Sequence, residues 1–370
     1  MEKFAFIIHP ITAQDVARKY PIARFFPDSL IEAVIKGRNP EVVAKVEGIR
    51  SAKGAEAEGW FIGCPYTPRL FLELPLAEVN AKLEKCGKIA EDLGAKILGL
   101  GAFTSVVGDG GITLSTKLNI AVTTGNSYTV ATAIEGAVTG ARMMGISLGT
   151  ATVAVIGATG SIGATCAEIL SRSAAQVNLI GRNKERLLAV REKLAITASS
   201  GLAVFTDVGA GLKDADIVIT VSSAAEAIVL PKHIKRGAVV CDVARPRDVS
   251  VAVQKERDDV LVIEGGVVRV PGAMRSSKYP DGGPFSFGFA QGTAYACMSE
   301  TIALALDQRY ESFTLGKEVT VKQVDDINAI CTRHGFKLDG FRSFERAVSP
   351  EEIERIRIRA GRGEPVVVTA

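Results

Sequence analysis

Apolar positions in this chain fall into short β-branched runs. Between them lie longer stretches in which apolar residues recur every three or four positions, the pattern of strands alternating with helices. In the first half the runs are 4–8, ending at His9-Pro10, then 42–49, 60–62, 97–100 and 120–123. Thr12 can cap a short helix to about Lys19, and Asp28 a second one through Lys36. Helical periodicity runs over 76–93, with Val79, Leu83, Cys86 and Ala90 on one face, and again over 127–144. The run at 120–123 reads as the last strand of this half.

From Thr152 six further runs follow, at 152–156, 177–180, 202–205, 216–221, 238–242 and 260–264. That is the strand count of a doubly wound dinucleotide sheet. Residues 271–288 carry Pro271, Pro280 and Pro284 among glycines and read as loop. Helices are expected over 289–310 and 319–333, then a basic helix and a short apolar end that pack loosely. The chain is thus expected to be α/β. An N-terminal α/β substrate domain spans 1–148 and a Rossmann doubly wound parallel sheet 149–270. Loop and helices packing back occupy 271–340, and a basic tail 341–370.

Composition changes this picture little. Apolar residues make up 47% and charged residues 23% of 370, as in a globular protein with a large core. A net charge of +3 does not suggest a nucleic-acid binder. The six cysteines show no C-x-x-C or Cys/His pairing, so no metal site and no disulfide framework is expected. No apolar run reaches membrane-spanning length and the N-terminus lacks a signal-peptide layout, so a cytoplasmic protein is expected. An oligomer is compatible with all of this.

The candidate chemistry begins at Gly157, Ala158, Thr159, Gly160, Ser161, Ile162 and Gly163, directly after the run 152–156 and before a helical stretch. Gly157 can make a tight turn, Gly160 lets backbone approach a pyrophosphate, and Gly163 lets helix and strand pack closely. The spacing is G-x-x-G-x-x-G, a variant of the G-x-G-x-x-G fingerprint. The second strand ends in Gly181, Arg182, Asn183 and Lys184, with no acid to hold the ribose hydroxyls of NAD. Arg182, with Lys184 or Arg186, suits the 2′-phosphate of NADPH, and Asn183 joins them as a cofactor candidate, although it can also simply cap the helix 184–194. Arg182, Thr206, Ser222 and Ala244 are expected with Gly157 at the carboxyl ends of the strands, and Ser222 joins the cofactor candidates.

Cys166, Cys241, Cys86 and Cys331 read as core or helical residues, and Cys64 as the end of a strand that could reach a cleft. Cys297 is expected within a helix, beside its apolar face, with Thr293, Glu300 and Thr301 one turn away. A thiol there could carry an acyl group as a thioester. His233 and His334 read as structural. His9, at the end of the first strand, is better placed to touch substrate. Thr104, Ser105, Thr124, Asn126 and Ser127 are loop-end polar residues that could bind substrate or cap turns.

Several segments resemble the cyanobacterial long-chain fatty acyl–acyl-carrier-protein reductases. They are Gly101–Ser105, Thr123–Thr129, Ala151–Gly163, Arg182–Leu187, Gly265–Val268, Ala296–Glu300 and Arg333–Phe336. The resemblance implies a Cys297 nucleophile that takes an acyl group from acyl carrier protein or acyl-CoA, with NADPH reducing it to an aldehyde. The loop before Cys297, the segment 242–246 and the tail beyond about 340 depart from that family. A shikimate- or amino-acid-type NADP-dependent dehydrogenase shares the two-domain plan and would need a lysine–aspartate pair, such as Lys117 with Asp109. A nucleotide-sensing regulator on the same fold is a third reading.

Overall fold

The computed structural model describes every residue except Lys19, Ala225, Arg245, Phe287, Phe289 and 363–370, and only the backbone of Arg18. The apolar end expected for the tail therefore lies outside the described residues. So does the expected helix start at Phe289. The chain divides into two units. The first comprises 1–128, 268–318 and 325–337, and the second 129–267, 319–324 and 338–370. Among the described residues no helix is long and apolar enough to cross a membrane.

In the first unit, strands β1 (Glu2–Ile8), β2 (Glu41–Arg50), β3 (Glu56–Gly63), β4 (Ile97–Gly99) and β5 (Ala121–Thr123) form a six-stranded sheet with the segment Gly272–Lys278. The order is Gly272–Lys278, β2, β3, β1, β4, β5. β1 pairs in parallel with β3 and β4, so its residues 4–7 are buried and read as an uninterrupted apolar run. The helix Leu76–Asp92 turns its expected face, Val79, Leu83, Cys86 and Ala90, onto this core. β5 is the last strand before residue 148, as expected. One expectation fails here: 271–288 is not all loop, because Gly272–Lys278 pairs antiparallel with β2. Its sequence is mostly polar, as an edge strand with exposed side chains allows. The helix expected from Thr12 is a 3-10 turn, Ala13–Arg18.

The second unit holds β6 (Thr152–Ile156), β7 (Gln176–Ile180), β8 (Gly201–Phe205), β9 (Ile217–Thr220), β10 (Val239–Asp242) and β11 (Leu261–Glu264). They form one parallel sheet in the order β11, β10, β9, β6, β7, β8, the doubly wound arrangement with its switch point between β6 and β9. Every expected strand from 152 to 264 is present.

The helix of the tail does not pack loosely. Helix Pro350–Arg359 buries Ile353 and Arg357, and Ile353 joins the core cluster of the sheet. Arg359 pairs with Asp258, and Arg236 donates to the Arg359 carbonyl. The expected piece 271–340 is likewise divided between the two units.

Candidate functional site

Two groups of candidate residues stand out, one in each unit. In the second unit the chain leaves β6 through Gly157, whose φ of +82° is strained for any other residue. A Cβ on Gly157 would sit 2.9 Å from the Val221 carbonyl oxygen, and one on Gly163 only 2.8 Å from the Gly157 carbonyl carbon. Both glycines are therefore fixed by the protein's own packing. A Cβ on Gly160 would meet no nearby atom closer than 3.4 Å, so no protein atom crowds that face of the turn. Gly160 is the N-cap of helix Ser161–Leu170 and brings no side chain of its own to that first turn, which suits a phosphate.

Arg182, Lys184 and Arg186 are exposed at the end of β7, and none is in an ion pair among the described residues. Asn183 has its side chain in use as a cap: its Oδ1 accepts from Arg186 N at 2.9 Å. Beside Lys184, the residues Val204, Phe205, Thr206, Asp207 and Ala210 line a cavity of about 270 Å³ at the carboxyl end of β8. Sequence reading anticipates Thr206 here but not Phe205, Asp207 or Ala210, whose joint position depends on the sheet order.

Ser222, a cofactor candidate, is engaged within the protein. Its Oγ donates to Asp248 Oδ1 at 2.6 Å and its N–H to Oδ2 at 2.9 Å, while Thr220 Oγ1 also donates to Asp248. Its hydroxyl therefore ties the loop after β9 to the loop after β10.

In the first unit Cys297 lies in the first turn of helix Ala296–Leu306, not within a longer helix as expected. Thr293 is in the strand Thr293–Tyr295 before it, so only Glu300 and Thr301 stand one helical turn away. Gly101 and Gly125 pack against this cysteine. A Cβ on Gly125 would overlap Cys297 Cα and Cβ and lie 2.7 Å from its carbonyl oxygen; one on Gly101 would be 3.7 Å from Sγ. Gly125 also has φ +74°.

Glu300, fully buried one turn after Cys297, holds this arrangement. Its Oε1 accepts from Thr123 Oγ1 at 2.6 Å and Thr314 Oγ1 at 3.0 Å, and its Oε2 from Tyr128 N at 2.9 Å. The carboxylate thereby clasps the 123–128 turn to the helix bearing the thiol. Burial raises its pKa, against the hydrogen bonds from Thr123, Tyr128, Thr314 and the Gly125 backbone. No neighbour in sequence signals this role, because its partners lie more than a hundred residues away or beyond the helix end.

The five polar substrate candidates divide. Thr104 Oγ1 accepts from Gly101 N at 2.9 Å and donates to Gly101 O at 2.8 Å, and Ser105 Oγ donates to Ala102 O at 2.8 Å, so both cap their own turn. Ser127 Oγ bonds Thr314 Oγ1 at 2.7 Å. Asn126 is buried at the start of helix Asn126–Met143. Thr124 Oγ1 is buried with no hydrogen-bond partner among the described residues.

His9 is enclosed by the rings of Phe71 and Phe103, and its Nε2 accepts from Phe103 N at 3.2 Å. Burial lowers its pKa to about 4, so the ring is neutral at pH 7. His334 is buried between Ser51 and Asp307, and His233 Nδ1 accepts from Leu230 N. Cys64 does not reach a cleft: it is buried and hydrogen-bonds Cys86. No disulfide joins any of the six cysteines. The lysine–aspartate pair of the dehydrogenase reading does not form. Lys117 pairs with Glu84 at 2.9 Å, and Asp109 accepts from Thr113 N at the start of helix Ile112–Lys117.

The glycine turn and the sheet order define a Rossmann-type unit. Residues 140–264 match the profile of the shikimate / quinate 5-dehydrogenase family, a third of the chain that includes all six strands of the second sheet. The match lies within the Rossmann-type unit and leaves the rest of the chain outside it.

Two curated proteins are similar over most of the chain. The aminotransferase PigE of a Serratia species is 27% identical over 318 residues, covering 84% of this chain and 36% of that protein. The chain thus spans about a third of the length of that relative. The long-chain acyl-[acyl-carrier-protein] reductase of Synechococcus elongatus is 26% identical over 313 residues, covering 80% of this chain and 87% of that protein. Among solved structures, quinate dehydrogenase from Corynebacterium glutamicum in complex with NAD aligns with a TM-score of 0.34 at 12% identity, over 69% of this chain and 85% of that one. The nucleotide-binding domain of glutamyl-tRNA reductase from Thermoplasma volcanium aligns at 0.25 and 21%, over 31% and 75%.

Proposed function

We propose that this protein reduces an acyl thioester to an aldehyde through an acyl-enzyme on Cys297, with NADPH as reductant. The observation that carries the reading is the seat of Cys297. It is a thiol in the first turn of a helix, packed against two glycines and anchored through the buried Glu300 one turn on. First-turn N–H groups favour negative charge, which suits a thiolate nucleophile.

The cofactor fits the residues present. Gly157, Gly160 and Gly163 with the start of helix Ser161–Leu170 would hold the pyrophosphate, and Arg182 with Lys184 and Arg186 the 2′-phosphate. Ala158, Thr159, Ser161 and Ile162 complete that turn. When bound, NADPH supplies a hydride for the acyl carbon. The chain's own part is to attack the donor thioester with Cys297 Sγ, forming an acyl–cysteine bond and expelling the carrier thiolate. After reduction, cleavage of the carbon–sulfur bond releases the aldehyde and returns the Cys297 thiolate. The acyl donor in this reading is acyl carrier protein or acyl-CoA, in keeping with the similarity to the Synechococcus reductase.

A shikimate-type alcohol dehydrogenase is the second reading, favoured by the family match over 140–264. It gives Cys297 no task, and the Lys117–Asp109 pair it would use is not made. NADPH oxidation with acyl-CoA and acyl carrier thioesters of several lengths, with the aldehyde trapped, separates the two. Turnover lost in Cys297→Ala supports the first reading. NADP reduction by a hydroxy acid, unchanged in Cys297→Ala, replaces it with the second.

A further inference from the structure

Helix Asp28–Lys36 carries more apolar surface than its core contact uses. Leu30, Ile31, Val34 and Ile35 span about 140° of the helix at the usual advance per residue. Ile31 and Ile35 are each 5% exposed and join the core, whereas Leu30 and Val34 are 46% and 58% exposed. The same excess marks the 3-10 turn Pro21–Phe25 before it. Ile22 and Phe25, one turn apart, are 66% and 74% exposed, and Phe26 beside them 43%. Five large apolar side chains thus stand in solvent within 22–34, more than isolated surface residues explain.

Cations surround them. The Arg24 guanidinium lies 5.2 Å from the centre of the Phe25 ring. Arg38 lies 4.9 Å from that of Tyr20 and donates to its hydroxyl at 3.1 Å. Lys36 is exposed at the helix end, and Arg18 and Lys19 precede the segment in sequence. Only two acids fall in 18–38. Glu32 is buried and paired with Arg69, so its charge is compensated; Asp28 is exposed and accepts from Gln14.

We propose that the surface formed by 20–38 docks on an anionic lipid bilayer. Phe25, Phe26, Ile22, Leu30 and Val34 enter the acyl boundary, and Arg24, Lys36 and Arg38 meet lipid phosphates. Exposed aromatic and aliphatic tips with cations among them match the two layers of such a boundary, and each adds to the other's binding. The inference does not depend on the thiol chemistry.

The test is co-sedimentation of the full chain with vesicles of phosphatidylcholine alone and of phosphatidylcholine with phosphatidylglycerol, at low and high salt. Wild type, Phe25→Ser/Phe26→Ser and Arg24→Glu/Lys36→Glu are compared, with circular dichroism to confirm folding and sedimentation velocity without lipid. Wild type should bind the anionic vesicles and release in salt, and each double variant should bind about tenfold more weakly. Wild type left in the supernatant overturns the proposal, as does equal binding by the folded phenylalanine variant. A dimer without lipid that the phenylalanine variant loses, with no vesicle binding, assigns the surface to a second copy instead.

Discussion

Gly125 leaves Cys297 its place: any side chain at Gly125 would overlap the cysteine backbone and its Cβ. Gly125→Ala must relieve that overlap and also hold alanine at φ +74°. A cost of about 2 kcal/mol or more is expected, seen as a lowered urea midpoint. Thiol labelling of the folded variant should differ in rate at Cys297 while the other five cysteines label as in wild type. Unchanged stability and labelling would mean that the turn yields freely.

Glu300→Ala leaves the Thr123 and Thr314 hydroxyls and the Tyr128 N–H without their buried acceptor. The expected loss is about 2–4 kcal/mol, read by chemical denaturation. Glu300→Gln keeps the shape and one acceptor and should cost less. A loss under about 0.5 kcal/mol in the alanine variant would contradict the clasp.

Arg182 stands exposed where the NADPH 2′-phosphate is placed in this reading. Arg182→Asp should weaken NADPH binding by about tenfold to a hundredfold and leave NADH nearly unchanged, measured by fluorescence titration. Gly163→Ala, which drives a methyl group into the Gly157 carbonyl, should weaken both. Equal loss of the two nucleotides in the arginine variant would remove Arg182 from phosphate recognition.

His9 makes stability depend on pH. Burial lowers its pKa to about 4, below the unfolded value of about 6.5, so the unfolded chain binds more protons between these values. Its contribution is present above pH 6.5 and lost as pH falls towards 4, up to about 3 kcal/mol. His9→Phe should flatten the stability profile over that window. The same slope in both proteins would assign the loss to other groups.

The sheet of the second unit is legible in the sequence because most of its strands are buried on both faces, which leaves unbroken apolar runs such as 153–156 and 239–241. Gly272–Lys278 is hidden because an edge strand with exposed side chains needs no such run, and its flanking prolines and glycines read as loop. The start of the Cys297 helix escapes the sequence because Tyr295 caps it without a side-chain bond, so no Ser, Thr, Asp or Asn marks the boundary. Cys297 and the glycine turn are readable as local patterns. The clasp by Glu300 and the turning of Ser222 towards Asp248 are not, since each depends on partners brought together by the fold.

The most direct test of the central claim is the intact mass of the protein after incubation with a long-chain acyl-CoA or acyl carrier thioester in the absence of NADPH. The account predicts one added acyl mass on wild type, none on Cys297→Ser or Cys297→Ala, and its discharge as free aldehyde when NADPH is supplied. An unmodified wild-type protein across several chain lengths and both carriers, or an adduct that persists in Cys297→Ala, would contradict it.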